Sequence, residues 1–297
     1  LHGFVRGECG VREALRMRLS VLVDNVALTD RYFLAEPGLS IYLEDGETRL
    51  LFDAGYSGIL VPNARKMGID LLNVEEIVLS HGHLDHTWGL DALIRLHTEA
   101  ILEGQRRVPP TFVAHPDAFL TRSCDGVGEI GCHLSVEELF RHGKVLLTTG
   151  PLWLTKNLVF LGEIERRFEF EQTPPIGYVY TPDGIRDDTV VDDTALACRT
   201  PEGLVVITGC SHSGICSIVE QAREVCGDDR ILDVIGGFHL LNTPPRQMRG
   251  ILDYFSEVQP AALHPCHCTD LAAKIALAKV ANVRETGVGL TLEYGFG

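Results

Sequence analysis

The chain has 297 residues, 45% of them hydrophobic, and 26 basic against 41 acidic side chains give it a net charge of −15. That length and hydrophobic content suit one large α/β domain or two small ones with a full core, and no apolar run approaches the ~18 residues of a membrane span. So acidic a surface repels a polyanion and excludes nucleic acid as the expected partner, whereas a bound metal reverses the local field and keeps a small phosphorylated molecule in play.

In chain order, Arg6, Glu8, Arg12 and Glu13 make the N-terminal stretch too charged for the apolar core of a signal peptide. Residues 17–23 and 39–53 read as antiparallel strands, with Asp45-Gly46 turning between Ile41-Tyr42-Leu43 and Leu50-Leu51-Phe52. A helix is expected around 58–67, ended by Gly68, then a buried strand over Ile77–Ser80 and a helix starting near Thr87. Thr111–Ala114 is a strand with His115 at its exit. The section from about 116 to 190, with Gly126, Gly128, Gly131 and Pro174-Pro175, is too irregular for core and is expected to cover the site.

Alternation returns with strands at Thr194–Cys198 and Leu204–Ile207 around the turn Pro201-Glu202-Gly203. A helix over 214–226, a strand at 231–236, a helix over 245–257, a strand at 261–264, a helix over 270–280 and a last strand near 289–294 complete the chain. Strand-rich and strand–helix segments thus occur twice, before ~110 and after ~190, which suits two mixed β-sheets packed face to face with helices outside. No fixed-period repeat or low-complexity linker interrupts it, so a single domain over 1–297 is the simplest organisation. The nine cysteines lack the spacing of a small secreted scaffold, and several lie beside histidines, which points to reduced thiols and a cytoplasmic protein.

Residues 80–86, Ser-His-Gly-His-Leu-Asp-His, carry the chemistry. They follow the apolar run Ile77-Val78-Leu79, so His81 and His83, alternate residues at a strand exit, aim at one point, while Asp85 and His86 face a second point nearby. Imidazole nitrogen and carboxylate oxygen are ligands for Zn²⁺, Mn²⁺ or Fe²⁺, and two such metals close together suit displacement at phosphorus or carbonyl carbon. His239 closes the run Val234-Ile235-Gly236-Gly237-Phe238 and reads as a metal ligand, a proton donor to a leaving group or a structural histidine, with acid–base duty or substrate contact favoured. His115 is similar. His264, inside or at the end of its strand before Pro265, reads as a packed core residue. Asn25 and Asp193 are short polar residues at strand ends, suited to orienting ligands.

His81-Gly82-His83-Leu84-Asp85-His86 resembles the His-x-His-x-Asp-His signature of the metallo-β-lactamase superfamily. Leu51-Phe52-Asp53-Ala54-Gly55 is similar to that superfamily's first motif, where an aspartate after a strand orients the ligand loop. The resemblance runs from about Ser20 to the end of the chain and implies an αββα sandwich with metals at the sheet edges. Val23-Asp24-Asn25, Gly162-Glu163-Ile164, Asp192-Asp193-Thr194-Ala195-Leu196, Thr208 to Gly214, Gly236-Gly237-Phe238-His239 and His267-Cys268-Thr269 further resemble one subgroup. It is known as 7,8-dihydropterin-6-yl-methyl-4-(β-D-ribofuranosyl)aminobenzene-5′-phosphate synthase, a dihydropteroate-synthase-like enzyme.

The resemblance implies ligation by His267, past the strand Ala261–His264. The superfamily's fourth motif ends a strand with Gly-Asp, and that aspartate bridges the metals, whereas this chain has Gly209-Cys210. No histidine lies between His142 and His212, so the usual third-motif histidine is missing and His212, ahead of a helix, is its natural replacement. Cys210 stands open as thiolate ligand, bridge or packed apolar residue. One metal therefore competes with two.

The expected activity is displacement at a small anionic substrate, with Asp85 and His239 as catalytic groups and Zn²⁺ the foremost metal, Mn²⁺ or Fe²⁺ behind it. A hydrolase uses metal-activated water; the subgroup's synthase, a transferase, joins a dihydropterin pyrophosphate to an arylamine with the same ligands. A redox di-iron centre needs a flavin domain for which the chain has no room, and a non-catalytic metal-dependent binding protein is the remaining class. Arg122, Arg141, Lys144, Lys156, Arg166 and Arg167 lie in the irregular stretch, and Arg166 is the expected contact to the substrate's anionic group.

Overall fold

The structure, a computed structural model, describes residues 16–295; the charged N-terminal stretch with Arg6, Glu8, Arg12 and Glu13 lies outside the described residues. The first half comprises β1 (Arg16–Val23), β2 (Ser40–Asp45), β3 (Thr48–Phe52), α1 (Leu60–Lys66), β4 (Glu76–Val78), α2 (Leu84–Thr87), α3 (Leu90–Leu102) and β5 (Thr111–Ala114). Then come β6 (Arg122–Ser123), α4 (Val136–Phe140), β7 (Lys144–Leu147), β8 (Leu152–Trp153), β9 (Leu158–Phe160), β10 (Tyr178–Thr181) and β11 (Gly184–Asp187). The last part holds β12 (Ala195–Thr200), β13 (Gly203–Thr208), α5 (Ile215–Cys226), β14 (Ile231–Gly237), α6 (Pro245–Val258), β15 (Ala262–Cys266), α7 (Leu271–Leu277) and β16 (Thr291–Gly295).

Two large sheets form, ordered β16-β1-β2-β3-β4-β5-β7 and β15-β14-β13-β12-β9-β8. Alternation along the strands sorts their side chains into three layers. Leu196 and Cys198 of β12, and Val205 and Ile207 of β13, meet Leu19, Val21, Ile41, Leu43, Leu50 and Phe52 between the sheets. The intervening Ala195, Ala197, Leu204 and Val206 face the other way, against α5, α6 and α7. On the far side Leu51, Ile77 and Phe112 pack on α1, α3 and α4. The result is an αββα sandwich, as expected.

Parallel pairing decides where the chemistry goes. β3, β4 and β5 run parallel in one sheet, and β13, β14 and β15 in the other. Their C-terminal ends therefore open on one edge, where Asp53, His81, His115, Cys210, His239 and His267 leave the strands. The two sheets are stitched there by Thr194 N–H donating to the Ser80 carbonyl at 2.9 Å.

Two elements differ from the sequence expectation for local reasons. The fourth strand stops at Val78 rather than Ser80 because Ser80 is drawn out of the ladder by Asp53. The helix expected from Thr87 is a short α2 and a separate α3, broken at Gly89, where any side chain would fall 1.9 Å from the Ala54 carbonyl oxygen. The stretch 116–190 is also less of an appendage than its irregularity suggested. β7 joins the first sheet and β8 and β9 the second, while β6, β10 and β11 make a small separate sheet.

Candidate metal centre

Asp53 organises the edge. Its side chain is fully buried, and its backbone sits in the left-handed region at φ 59°. Ser80 N–H and Oγ–H each donate to its carboxylate at 2.7 Å, and His86 Nδ1–H donates at 2.6 Å. Ser80 Oγ in turn accepts His81 Nδ1–H at 2.8 Å. One carboxylate thereby fixes both histidines with Nε2 as a lone pair.

Across the edge, His267 is set the same way. Its N–H donates to Asp24 Oδ1 at 2.7 Å and its Nδ1–H to Asn25 Oδ1 at 2.9 Å. Its Nε2 is therefore also a lone pair, and it faces His86 Nε2 at 3.2 Å, with Cys210 Sγ 3.1 Å from the same His86 atom. Two imidazole lone pairs at that distance repel unless a proton or a metal ion lies between them. His212 makes the same point: it is buried, and neither of its ring nitrogens has a hydrogen-bond partner. Orphaned nitrogens of this kind fit a metal.

The donors fall into two groups. His81, His83 and His212 meet in T-shaped contacts, with ring centroids 4.7 to 4.9 Å apart. Asp85 Oδ2 lies 3.3 Å from His267 Nε2 and Oδ1 3.9 Å from His86 Nε2, which gathers Asp85, His86 and His267. Cys210 stands between, sharing metal-competent clusters with His81 and His212 and with His86 and His267. The chain thus places Cys210 in the position open to both groups.

Burial and neighbouring charge hold these groups ready. Burial, then His86 and His83, push His81 well below its ordinary value; burial and His239 do the same for His212. Both are neutral imidazoles. Burial opposes the charged form of His86, but Asp53 and Asp85 outweigh it and raise the value to about 9 in the absence of metal. For Asp85 burial is outweighed by His86 and His267, and its carboxyl is held below the usual range. Burial pushes the Cys210 thiol up, whereas Cys268 is held down against burial by Cys210, His267 and His239. His239 is raised despite burial, by Cys268 and by the Asp193 and Asp85 carboxylates.

The remaining expected residues divide. Asp193 accepts Ser213 N–H at 2.8 Å and so steadies the loop that carries His212; burial lifts its carboxyl to about 6. His239 and Asn25 line the cavity above the site. His115 is buried apart from that cavity, its Nδ1 accepting Asp117 N–H at 3.1 Å and its Nε2 3.7 Å from Glu163. Arg166 does not reach the cavity either. Its guanidinium donates to the carbonyls of His212, at 2.9 Å, and of Thr189, so the expected substrate contact is instead a hold on the His212 backbone. His264, as expected, is packed in the core, with Nδ1 2.9 Å from Asp233.

Several contributors went unrecognised in the sequence. Arg122 had been grouped with the anion-binding candidates, yet it is 1% exposed and locked between Asp188 and Asp192 at 3.0 and 2.6 Å. Asp192 also accepts Gly82 N–H at 2.8 Å, tying the arginine to the His81–His83 loop. Arg167 pairs with Glu224 and Glu165, and Arg141, Lys144 and Lys156 are exposed on the surface. Asp24 and Cys268 complete the set. Their sequence signal was membership of the motifs Val23-Asp24-Asn25 and His267-Cys268-Thr269, which assigned them no role.

Above the donors opens a cavity of about 590 Å³, walled by Pro37, Tyr56, Leu84, Ile130, Ile176 and Leu241 and without a lysine or arginine in its lining. Strained backbone gathers around the donors: Asp53, Ser211, His239 and His267 all have φ between 47° and 63°. Left-handed non-glycine residues cost about 1 kcal/mol or more each and persist where surrounding contacts over-determine them.

A two-sheet sandwich with histidine, aspartate and cysteine donors converging at the strand exits is a metal-dependent hydrolase-like fold. The chain belongs to the metallo-beta-lactamase superfamily, whose sequence pattern matches residues 34–223. An uncharacterized protein of Methanocaldococcus jannaschii is 32% identical over 266 residues, spanning 89% of this chain and 95% of that one. The 7,8-dihydropterin-6-methyl-4-(beta-D-ribofuranosyl)-aminobenzene-5′-phosphate synthase of the same organism is 28% identical over 271 residues, 87% of this chain and 89% of its own. The crystal structure of a metal-dependent hydrolase of the beta-lactamase superfamily superposes with a TM-score of 0.78 at 30% identity, covering 94% of this chain and 99% of that one. Among the described residues no helix is long and apolar enough to cross a membrane, and all eight cysteines are free.

Proposed function

We propose that the protein is a metal-dependent hydrolase of a small molecule with an anionic head and a flat apolar body. The observation that carries this reading is the gathering of His81, His83 and His212, and of Asp85, His86 and His267, at and beneath the floor of an apolar cavity, with Cys210 within reach of both groups. Those residues would hold one or two divalent transition metals, Zn²⁺ foremost given the imidazole and thiolate donors. Bound there, the metal supplies Lewis-acid polarisation of the bond to be broken and an activated water at neutral pH.

The side chains do the rest. Asp85, whose carboxylate is 27% exposed toward the cavity, accepts the proton of the incoming nucleophile. His239, raised toward its protonated form, gives a proton to the leaving group. No lysine or arginine lines the cavity, so the anionic head would be met by metal held at the histidine groups and by His239, and the body lies against Tyr56, Ile130, Ile176 and Leu241.

The synthase reading rests on a specific observation as well, the 28% identity over 271 residues to a protein named for that reaction. A dihydropterin is flat and suits an apolar cavity, and Asp85 would then take its proton from an arylamine instead of water. The test is a panel of phosphomonoesters, phosphodiesters, thioesters, lactones and a dihydropterin pyrophosphate with and without arylamine. Turnover of an anionic ester by water supports the hydrolase; pyrophosphate release that requires the arylamine transfers the assignment to the synthase. Preference for a neutral lactone overturns the anionic substrate class, and absence of turnover with fully metallated protein overturns the catalytic reading.

A further inference from the structure

A further set of donors sits beside the histidine groups and shares only Cys210 with them. β14 and β15 run parallel and leave the sheet together, their exits tied by Phe238 N–H donating to Thr269 Oγ1 at 3.0 Å and by a bridge between Leu240 and Thr269. This places His239 of one exit against Cys268 of the other. His239 N–H donates to Cys268 Sγ at 3.3 Å, and the His239 Nδ1 is buried with no partner. Cys268 Sγ lies 3.5 Å from the Cys210 carbonyl oxygen. Cys210, His239 and Cys268 each have a donor atom within 4.8 Å of the other two, and all three line the cavity, so a cation can reach them from solvent.

Space has been left for this arrangement. A Cβ at Gly237 would fall 2.6 Å from Cys268 Sγ and 2.5 Å from the Gly209 carbonyl oxygen. The backbone on both exits is also forced into the left-handed region, at φ 50° for His239 and 47° for His267, which turns the donors inward.

We infer that Cys210, His239 and Cys268 form a further metal position, distinct from the two histidine groups and selective for a thiophilic cation such as Zn²⁺, Cd²⁺ or Cu⁺. Two sulfurs and one imidazole are a soft set, unsuited to Mg²⁺ or Mn²⁺. Binding converts thiol to thiolate, and the displaced protons go to solvent. Cys210 is common to this trio and to both histidine groups, so a cation here competes with them for its sulfur. The position therefore holds its cation best when the histidine groups are empty.

The experiment uses the full chain carrying His86→Ala and His212→Ala, which takes a donor from each histidine group, titrated with Cd²⁺ and followed by thiolate-to-metal charge-transfer absorbance. The expected result is about one equivalent of Cd²⁺ bound with a thiolate band, and no comparable uptake of Mn²⁺. Adding Cys268→Ser should abolish most of the band and weaken binding at least ~10-fold, and His239→Gln should weaken it without removing the band. Should a combined variant fail to fold, cadmium NMR of the parent protein with and without Cys268→Ser reads the same thiolate coordination. No Cd²⁺ bound by the double variant, or a band unchanged by Cys268→Ser, overturns the inference. Cd²⁺ binding by the double variant alongside a fully metallated parent protein that turns over no substrate would instead count against the proposed function alone.

Discussion

Replacing Arg122 by methionine tests how the ligand loop is held. The guanidinium is 1% exposed and donates to Asp188 Oδ2 at 3.0 Å, Asp192 Oδ1 at 2.6 Å and the Leu120 carbonyl at 3.3 Å. Asp188 and Asp192 are themselves 2% and 0% exposed, so Arg122→Met leaves two carboxylates in the interior with their cation gone. Breaking a buried ion pair by removing one partner costs about 3–5 kcal/mol. The two pairs share one side chain and do not add. Each carboxylate also keeps one backbone donor, Val190 N–H at 2.9 Å and Gly82 N–H at 2.8 Å, which holds the expected loss within that range. Equilibrium urea unfolding at matched metal concentration should show a lower midpoint at unchanged slope. Because Asp192 also positions Gly82, metal affinity should fall ~10–100-fold. Adding Asp188→Asn and Asp192→Asn to the variant should recover part of the stability by removing the unpaired charges. A loss under ~1 kcal/mol, or no recovery in the triple variant, would refute the reasoning.

Three further outcomes are expected. Asn25→Ala should weaken metal binding ~10–100-fold by freeing His267 Nδ1, and Asn25→Asp, which keeps the acceptor, should retain most of it; metal titration reads both. Arg166→Ala should lower metal retention while KM changes by less than about 2-fold, since the side chain holds the His212 carbonyl and does not enter the cavity. Glu76, on the fourth strand and away from the site, has its carboxyl pushed up to about 7 by burial and then by Glu75, and its buried Oε2 has no partner. Its folded value lies above the unfolded one, so the native state binds the extra proton between the two, and stability falls as pH rises from about 4.5 to 7. Glu76→Gln should therefore raise stability at about pH 8 by ~1–2 kcal/mol, discounted for its partial exposure, and leave it unchanged near pH 4; urea midpoints at the two pH values check this.

What the sequence determined is what short-range geometry determines. His81, His83, Asp85 and His86 share one strand exit, so their convergence follows from the backbone between them, and Asp53 follows its own strand in the same way. Alternating apolar residues likewise specify the strands and their buried faces, and with them the two-layer sandwich, because pleat and burial are local properties. Strand ends were less legible, since Ser80 leaves its ladder for a carboxylate 27 residues away.

Only the tertiary structure decided which distant residues meet. His86 and His267 face each other across 181 positions, and Arg122 finds Asp192 across 70. Such pairings depend on which strands run parallel and so open on the same edge. An arginine in an irregular stretch looks the same in sequence whether it waits for a substrate or is sealed against two aspartates. Burial separates the two cases: desolvating a guanidinium is tolerable for Arg122 because Asp188 and Asp192 are buried with it, whereas Arg166 satisfies its donors on backbone carbonyls. Cys268 became part of a donor group for the same reason, since the exits of the parallel pair β14 and β15 carry it against His239.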